Sequence, residues 1–208
     1  MTQIIPSINV PTIEGVQERI AKVEPFVEWC HLDVTDGIFA KHVTWHEPID
    51  LPLIQTKLNV EAHLMIERPE EAIEEWLVEP VKRVIVHLEA TKDPELIIQK
   101  CREAGKEIGF AIKPGTFWGM LKPWFQKIDL VQALAVEPGP SGQAASQDIF
   151  DKIASIRLAC PSCIIEIDGG MNPDTSDQAR AAGADLIVAG SAIFSSLDIV
   201  AAIRELAG

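Results

Sequence analysis

Residues 164–189 read IIEIDGGMNPDTSDQARAAGADLIVA, and this stretch holds one whole repeat of the pattern that runs through the chain. Residues 164–167 are a short apolar run, and Gly169-Gly170 breaks it. Asn172-Pro173 then supplies a helix cap followed by proline at the first helical position. Residues 173–182 have helical composition, Ala182-Gly183 is a stop signal, and 186–189 is apolar again. Strand, helix and strand in so short a span is the unit of a parallel sheet, because parallel neighbours must be joined by a crossover.

The same alternation extends outward to both ends. Apolar, β-branched runs occur at 4–10, 29–34, 60–66, 84–88, 108–112, 130–136, 164–167 and 186–189. Helical patterns lie between them at 12–23, 69–77, 94–104, 147–158, 173–182 and 198–206, and the segment after the second run is the least helical. Asp93-Pro94 opens a helix and Ala104-Gly105 closes it, which fixes the phase of the repeat. Eight such units without a Gly-x-Gly-x-x-Gly turn after the first strand favour a closed (β/α)8 barrel over an open doubly wound sheet. At 208 residues, 47% hydrophobic, the chain suits one buried core, and we expect a single catalytic barrel domain over 1–208.

Composition narrows the functions. No apolar run reaches membrane-spanning length, and no basic segment leads into a long apolar one near the start, so a soluble cytoplasmic protein is expected. A formal net charge of -13 disfavours nucleic acid and anionic membranes as partners. A bound phosphate would then be held largely by backbone amides. Of four cysteines, Cys160 and Cys163 form the close pair, read as a helix end before a strand start and dispensable for metal binding.

A barrel of this kind carries its chemistry at the carboxyl-terminal strand ends. The second strand places His31 and Asp33 on one face by its period of two. The third offers His63 near its end and the seventh offers Asp168. Two imidazoles and two carboxylates at one mouth form a four-ligand set suited to zinc, iron, manganese or cobalt. His87 and Glu89 form a similar pair on the fourth strand and are expected behind the ligands or lining the site. Glycines cluster in three late loops, at 137–142, at Gly169-Gly170 and at Gly190-Ser191. They allow an anion close to the backbone, where barrels often bind phosphate.

The order of motifs resembles the ribulose-phosphate 3-epimerases along nearly the whole chain. Pro6-Ser7-Ile8 is followed by His31-Leu32-Asp33-Val34-Thr35-Asp36-Gly37-Ile38-Phe39, His63-Leu64-Met65, Val86-His87-Leu88-Glu89 and Lys113-Pro114-Gly115-Thr116. Pro138-Gly139 through Gly142-Gln143, Asp168-Gly169-Gly170 and Ala189-Gly190-Ser191-Ala192 complete the series. The resemblance implies one divalent metal on His31, Asp33, His63 and Asp168, with Asp33 and Asp168 also the acid/base pair. It implies that Ser7 and His63 contact substrate, and that Gly139, Pro140, Ser141, Gly142, Gly169, Gly170, Gly190 and Ser191 hold its phosphate. The implied reaction interconverts D-ribulose 5-phosphate and D-xylulose 5-phosphate of the pentose phosphate pathway through an enediolate, in a homo-oligomer.

The chain also departs from that pattern. Thr35 and Leu134 stand where the family usually has Met, and Ala40-Lys41-His42 replaces its Val-Pro-Asn. Glu137-Pro138-Gly139-Pro140-Ser141-Gly142 replaces Asn-Pro-Gly-Phe-x-Gly. These changes keep open an epimerase for another sugar phosphate, such as allulose 6-phosphate, and a non-catalytic sugar-phosphate-binding barrel. Decarboxylase and aldolase relatives need a lysine in Asp-x-Lys-x-x-Asp, which Asp33-Val34-Thr35-Asp36 lacks.

Overall fold

In the computed structural model, which describes residues 2–208, eight parallel strands close into a barrel. They are β1 (Gln3–Ile8), β2 (Trp29–Thr35), β3 (Asn59–Met65), β4 (Val81–His87), β5 (Glu107–Ile112), β6 (Leu130–Leu134), β7 (Ile164–Asp168) and β8 (Leu186–Ala189). Each pairs with its neighbour in sequence, and β8 returns to β1 through Gln3–Leu186 to Pro6–Ala189. The fold is therefore the (β/α)8, or TIM, barrel that the repeat predicts.

The outer layer is α1 (Ile13–Val23), α2 (Pro69–Trp76), α3 (Pro94–Glu103), α4 (Ile149–Ala159), α5 (Pro173–Ala182), α6 (Ser191–Phe194) and α7 (Ile199–Ala207). Local chemistry explains their ends. Thr12, Asp93 and Asp198 each accept a backbone N–H at a helix start, and Asn172 forms a reciprocal capping box with Thr175. Gly183 stops α5 at φ 104°, a left-handed conformation that glycine adopts without strain. After β2 and β5 the chain instead forms 3-10 helices, Pro48–Leu53 and Trp118–Trp124. Pro52 and Pro123 lie inside them and cannot donate the bonds a longer α-helix needs.

Period two sorts the strand residues onto two faces. Outward residues such as Leu32, Val34, Leu64 and Val84 pack with Val16, Ile73, Trp76, Ile97 and Ile153 of the helices. Inward residues Ile5, Ile85, Ala111, Leu130, Leu134, Leu186 and Val188 form a smaller apolar plug inside the barrel. Each fully buried Leu or Ile contributes roughly 1.5–3 kcal/mol relative to exposure. Polar groups take most of the inward positions on β2, β3, β4 and β7: His31, Asp33, Glu61, His63, Arg83, His87 and Glu166 are all buried.

Cys160 caps α4 and Cys163 precedes β7, as expected of a helix end and a strand start. Their sulfurs are joined to each other as a disulfide, which the sequence reading did not foresee. The pair lies at the amino-terminal end of β7, opposite the mouth where Asp168 sits. Among the described residues, no helix is long and apolar enough to cross a membrane.

Candidate active site

Strand register assembles the polar groups. Asp33 of β2 is level with His63 of β3, and Leu134 of β6 is level with Asp168 of β7. His31, one inward position below Asp33, adds its imidazole to the same point. Its Nε2 lies 3.1 Å from His63 Nδ1 and 3.5 Å from Asp33 Oδ1. His63 Nδ1 is 3.7 Å from Asp33 Oδ1 and 3.5 Å from Asp168 Oδ2, and His31 Nε2 is 3.9 Å from that same Oδ2. One donor atom from each of the four residues lies within 4.8 Å of the other three.

The far sides of both rings fix which nitrogen faces this point. His31 Nδ1–H donates to Glu61 Oε1 at 2.7 Å, leaving Nε2 with a lone pair. His63 Nε2–H donates to His87 Nε2 at 3.0 Å, and His87 Nδ1–H donates to Glu89 Oε2 at 3.3 Å, leaving His63 Nδ1 with a lone pair. His87 suits the role of neutral acceptor, since burial lowers its pKa to about 4. Two lone pairs converging at 3.1 Å call for a positive species between them. For metal–ligand bonds of roughly 2.0–2.1 Å, tetrahedral donors stand about 3.3 Å apart. The observed spacings of 3.1–3.9 Å bracket that value, so the residues present fit a divalent metal.

Electrostatics agrees with that fit. Burial opposes charge on Asp33, but the adjacent imidazoles of His31 and His63 outweigh this and hold its carboxyl well below the usual range. Burial would likewise lower His31, yet Asp33, Glu61 and Asp168 together hold it well above the ordinary imidazole value. The same field that favours a proton there favours a metal cation. A second cluster, His31 with Glu61 and Glu166, lies beneath the first. There Arg83 Nη1 already donates to Glu61 Oε2 at 2.8 Å, and burial beside Glu61 pushes Glu166 well above the carboxylate range. That lower cluster thus already has a cation of the protein beside it.

Above the four donors opens a cleft. Asp33 and Asp168 form part of its wall with Met65 and Leu134, while His31 and His63 lie fully buried beneath it. His63, expected also to touch substrate, therefore sits under the cleft floor. Ser7, Gly139, Pro140, Ser141, Gly142, Gly169, Gly170, Gly190 and Ser191 all line the cleft. At Gly170, φ 69°, a β-carbon would collide with the Ala145 backbone, and at Gly190 one would stand 2.6 Å from Ser7 Oγ. Thr35 is buried against Thr44, whose Oγ1 accepts from Thr35 N at 2.9 Å.

Several residues at the site were not singled out from the sequence. Asn9 donates from Nδ2 to Asp33 Oδ2 at 3.2 Å, and its Oδ1 accepts from His42 Nε2 at 3.0 Å. Glu61 and Glu166 each lie two residues before a proposed metal donor, so the inward period that found His63 and Asp168 also points to them. Arg19 of α1 stacks its guanidinium 4.2 Å over Phe194, flanking a smaller cleft shared with Ser7, Gly190 and Ser191.

The fold is a (β/α)8 barrel whose cleft, at the carboxyl ends of its strands, holds a candidate metal centre. Residues 3–194 match the model of the ribulose-phosphate 3 epimerase family, and the chain belongs to that family. It is 34% identical to the ribulose-phosphate 3-epimerase of Mycobacterium leprae (strain TN), over 99% of this chain and 95% of that protein. It is also 34% identical to the enzyme of the same name from Synechocystis sp. (strain PCC 6803), over 96% and 90% of the two chains. A crystal structure of 3-hexulose-6-phosphate synthase superposes with a TM-score of 0.73 over 99% of this chain and 98% of that one, at 16% identity, a likeness of fold. The chain is thus an enzyme of the epimerase kind.

Proposed function

We propose that the chain, acting as one catalytic domain, epimerises D-ribulose 5-phosphate to D-xylulose 5-phosphate at carbon 3, with a divalent metal held by His31, Asp33, His63 and Asp168. The observation that carries this reading is the pair of carboxylates, Asp33 and Asp168, set beside two convergent imidazole lone pairs at the floor of a glycine-lined cleft.

The reaction removes a proton next to a ketone and returns one to the opposite face. Asp33 and Asp168 approach from β2 and β7 and can serve opposite faces of a carbon between them. When bound, the metal would supply Lewis acidity toward the developing enediolate charge; zinc, iron, manganese and cobalt all suit this donor set. Asn9 holds Asp33 Oδ2 from the mouth side, which fixes the plane of that carboxylate. Met65 and Leu134 wall the cleft with apolar surface, which limits water near the reacting carbon. The phosphate would lie against Gly169, Gly170, Gly190 and Ser191, where backbone N–H groups suit an anion despite the net charge of -13.

Incubation with ribulose 5-phosphate in deuterated water tests the reading. Xylulose 5-phosphate should form with solvent deuterium at carbon 3, and allulose 6-phosphate run in parallel should turn over more slowly. Binding of either sugar without exchange would mark a non-catalytic barrel and refute the proposal. Faster turnover of allulose 6-phosphate would reassign the substrate.

A further inference from the structure

The row of inward residues that begins at His31 continues across three more strands. Strand register aligns His31 with Glu61, Glu61 with Arg83, and Arg83 with Glu107. The side chains connect in the same order. His31 Nδ1–H donates to Glu61 Oε1 at 2.7 Å, and Glu61 Oε2 accepts from Arg83 Nη1 at 2.8 Å. Arg83 Nε donates to Glu107 Oε2 at 2.7 Å. His31, Glu61 and Arg83 are buried, whereas the Glu107 side chain is 46% exposed at the start of β5. The row thus leads from beneath the cleft to the opposite end of the barrel.

We propose that Arg83 is a positioning residue for the metal donor His31 and acts through Glu61. This rests on the metal centre proposed above. Glu61 has two oxygens with separate tasks: one orients His31 and the other is held by the guanidinium. Without Arg83, the second oxygen would be buried with no cation, beside Glu166. Glu61 would then be free to turn from His31, and the ring would lose the acceptor that sets its tautomer and its aim.

Stability alone is a poor account of this arrangement. Buried ion pairs add little to folding and are often replaceable by apolar groups, and an apolar plug of Ile85, Leu186 and their neighbours already fills the adjoining interior. The guanidinium is also more closely fixed than charge balance requires. Its planar fork spans two separate carboxylates, and Trp29 covers it with ring centroid 4.3 Å from Cζ. A lysine could satisfy one carboxylate but could not hold both in this geometry.

The test is cobalt(II) titration of the full chain, following the visible absorption of the bound ion and its affinity by chelator competition, with His31→Ala as control. Arg83→Met should weaken cobalt binding about tenfold or more and alter the band shape, and Arg83→Lys should restore part of both. Glu61→Gln should produce a similar loss, and adding Arg83→Met to it should change affinity by less than about twofold, because both act on one ring. A folded Arg83→Met protein that binds cobalt like the parent, with the same spectrum, overturns the proposal whatever its melting temperature. Should Arg83→Met not fold, Glu107→Gln and Arg83→Lys carry the same test: both should shift affinity and spectrum in the same direction, and no shift in either overturns it. A parent chain that takes up no cobalt removes the metal centre and this inference together, whereas normal parental uptake with unaffected variants removes this inference alone.

Discussion

Asp33→Asn and Asp168→Asn remove the same charge and keep nearly the same shape, yet the surroundings of the two residues predict different outcomes. Neither amide can accept the substrate proton, so each variant should lose about a hundredfold or more in turnover, or roughly 2.7 kcal/mol of transition-state stabilisation. Metal retention should separate them. Asp33 turns Oδ1 to the imidazoles and Oδ2 to Asn9 Nδ2, and Asn9 is itself oriented by His42. An asparagine at 33 has one oxygen for these two tasks. If that oxygen faces the metal donors, its N–H group opposes the N–H of Asn9; if it faces Asn9, a metal donor is lost. An unmade hydrogen bond costs about 1–3 kcal/mol, which corresponds to roughly 5- to 150-fold in affinity.

Asp168 presents Oδ2 to the imidazoles, and among the described residues its other oxygen carries no such second tie. Asp33→Asn should therefore lose more metal than Asp168→Asn, as read by chelator competition. Adding Asn9→Asp to Asp33→Asn supplies an acceptor for the new amide and should recover metal without recovering turnover. Exchange at carbon 3, followed separately from ribulose 5-phosphate and xylulose 5-phosphate in deuterated water, should persist from one sugar and vanish from the other in each variant. Full turnover in either variant would refute the two-carboxylate mechanism. Equal metal loss, with no recovery on adding Asn9→Asp, would refute the role given to Asn9.

Three further expectations follow from the cleft and the opposite end of the barrel. Gly190→Val should abolish binding of inorganic phosphate, since its β-carbon would press on Ser7 at 2.6 Å, whereas Ser191→Ala should weaken it only modestly; equal small effects in a phosphate titration would contradict this. Cys160→Ser with Cys163→Ser removes the disulfide below β7 and should leave metal content and most activity intact, and loss of bound metal on elemental analysis would overturn that view. Stripping the metal should remove activity and lower the melting temperature, and readdition at a hundredfold above its Kd should return about 2.7 kcal/mol of stability. Activity that survives in protein shown to be metal-free would be fatal to the proposed centre.

The sequence was legible where a single strand carries its own signal. His31 and Asp33 share a face by period two, His63 and Asp168 end apolar runs, and Asn172 and Gly183 punctuate α5, so each could be placed without knowing its neighbours. Arg83 could not. The apolar run suggested a fourth strand from 84, while β4 begins at Val81 and carries the charged Lys82 and Arg83 within it. What makes Arg83 tolerable inside a barrel is Glu61 on one adjacent strand and Glu107 on the other, and strand register is not written in either strand alone. Asn9 is hidden by the opposite mismatch: the apolar run extends to Val10, but β1 ends at Ile8 and leaves Asn9 free to reach Asp33. The 3-10 segments Pro48–Leu53 and Trp118–Trp124 lack a sustained helical period, and their prolines explain why no longer helix forms there.

The charge balance of the interior gives a reason for a divalent ion at this point. Glu61 is paired with Arg83, whose other side meets the half-exposed Glu107. Burial beside Glu61 pushes Glu166 up, in the direction of its neutral form. His87 is neutral because burial holds its pKa at about 4, which lets it receive a hydrogen bond from His63. Asp33 and Asp168 then remain, two carboxylates facing two lone pairs in a largely buried setting. A single proton on His31 offsets one of those charges, which is the direction its surroundings favour. A divalent cation would offset both and could receive all four donors, whereas a monovalent ion would leave a net negative charge under the cleft, opposed to the enediolate of the proposed reaction. Arg83, by its ion pair with Glu61, would keep that carboxylate engaged below His31 and leave Asp33 and Asp168 as the two that face a bound cation.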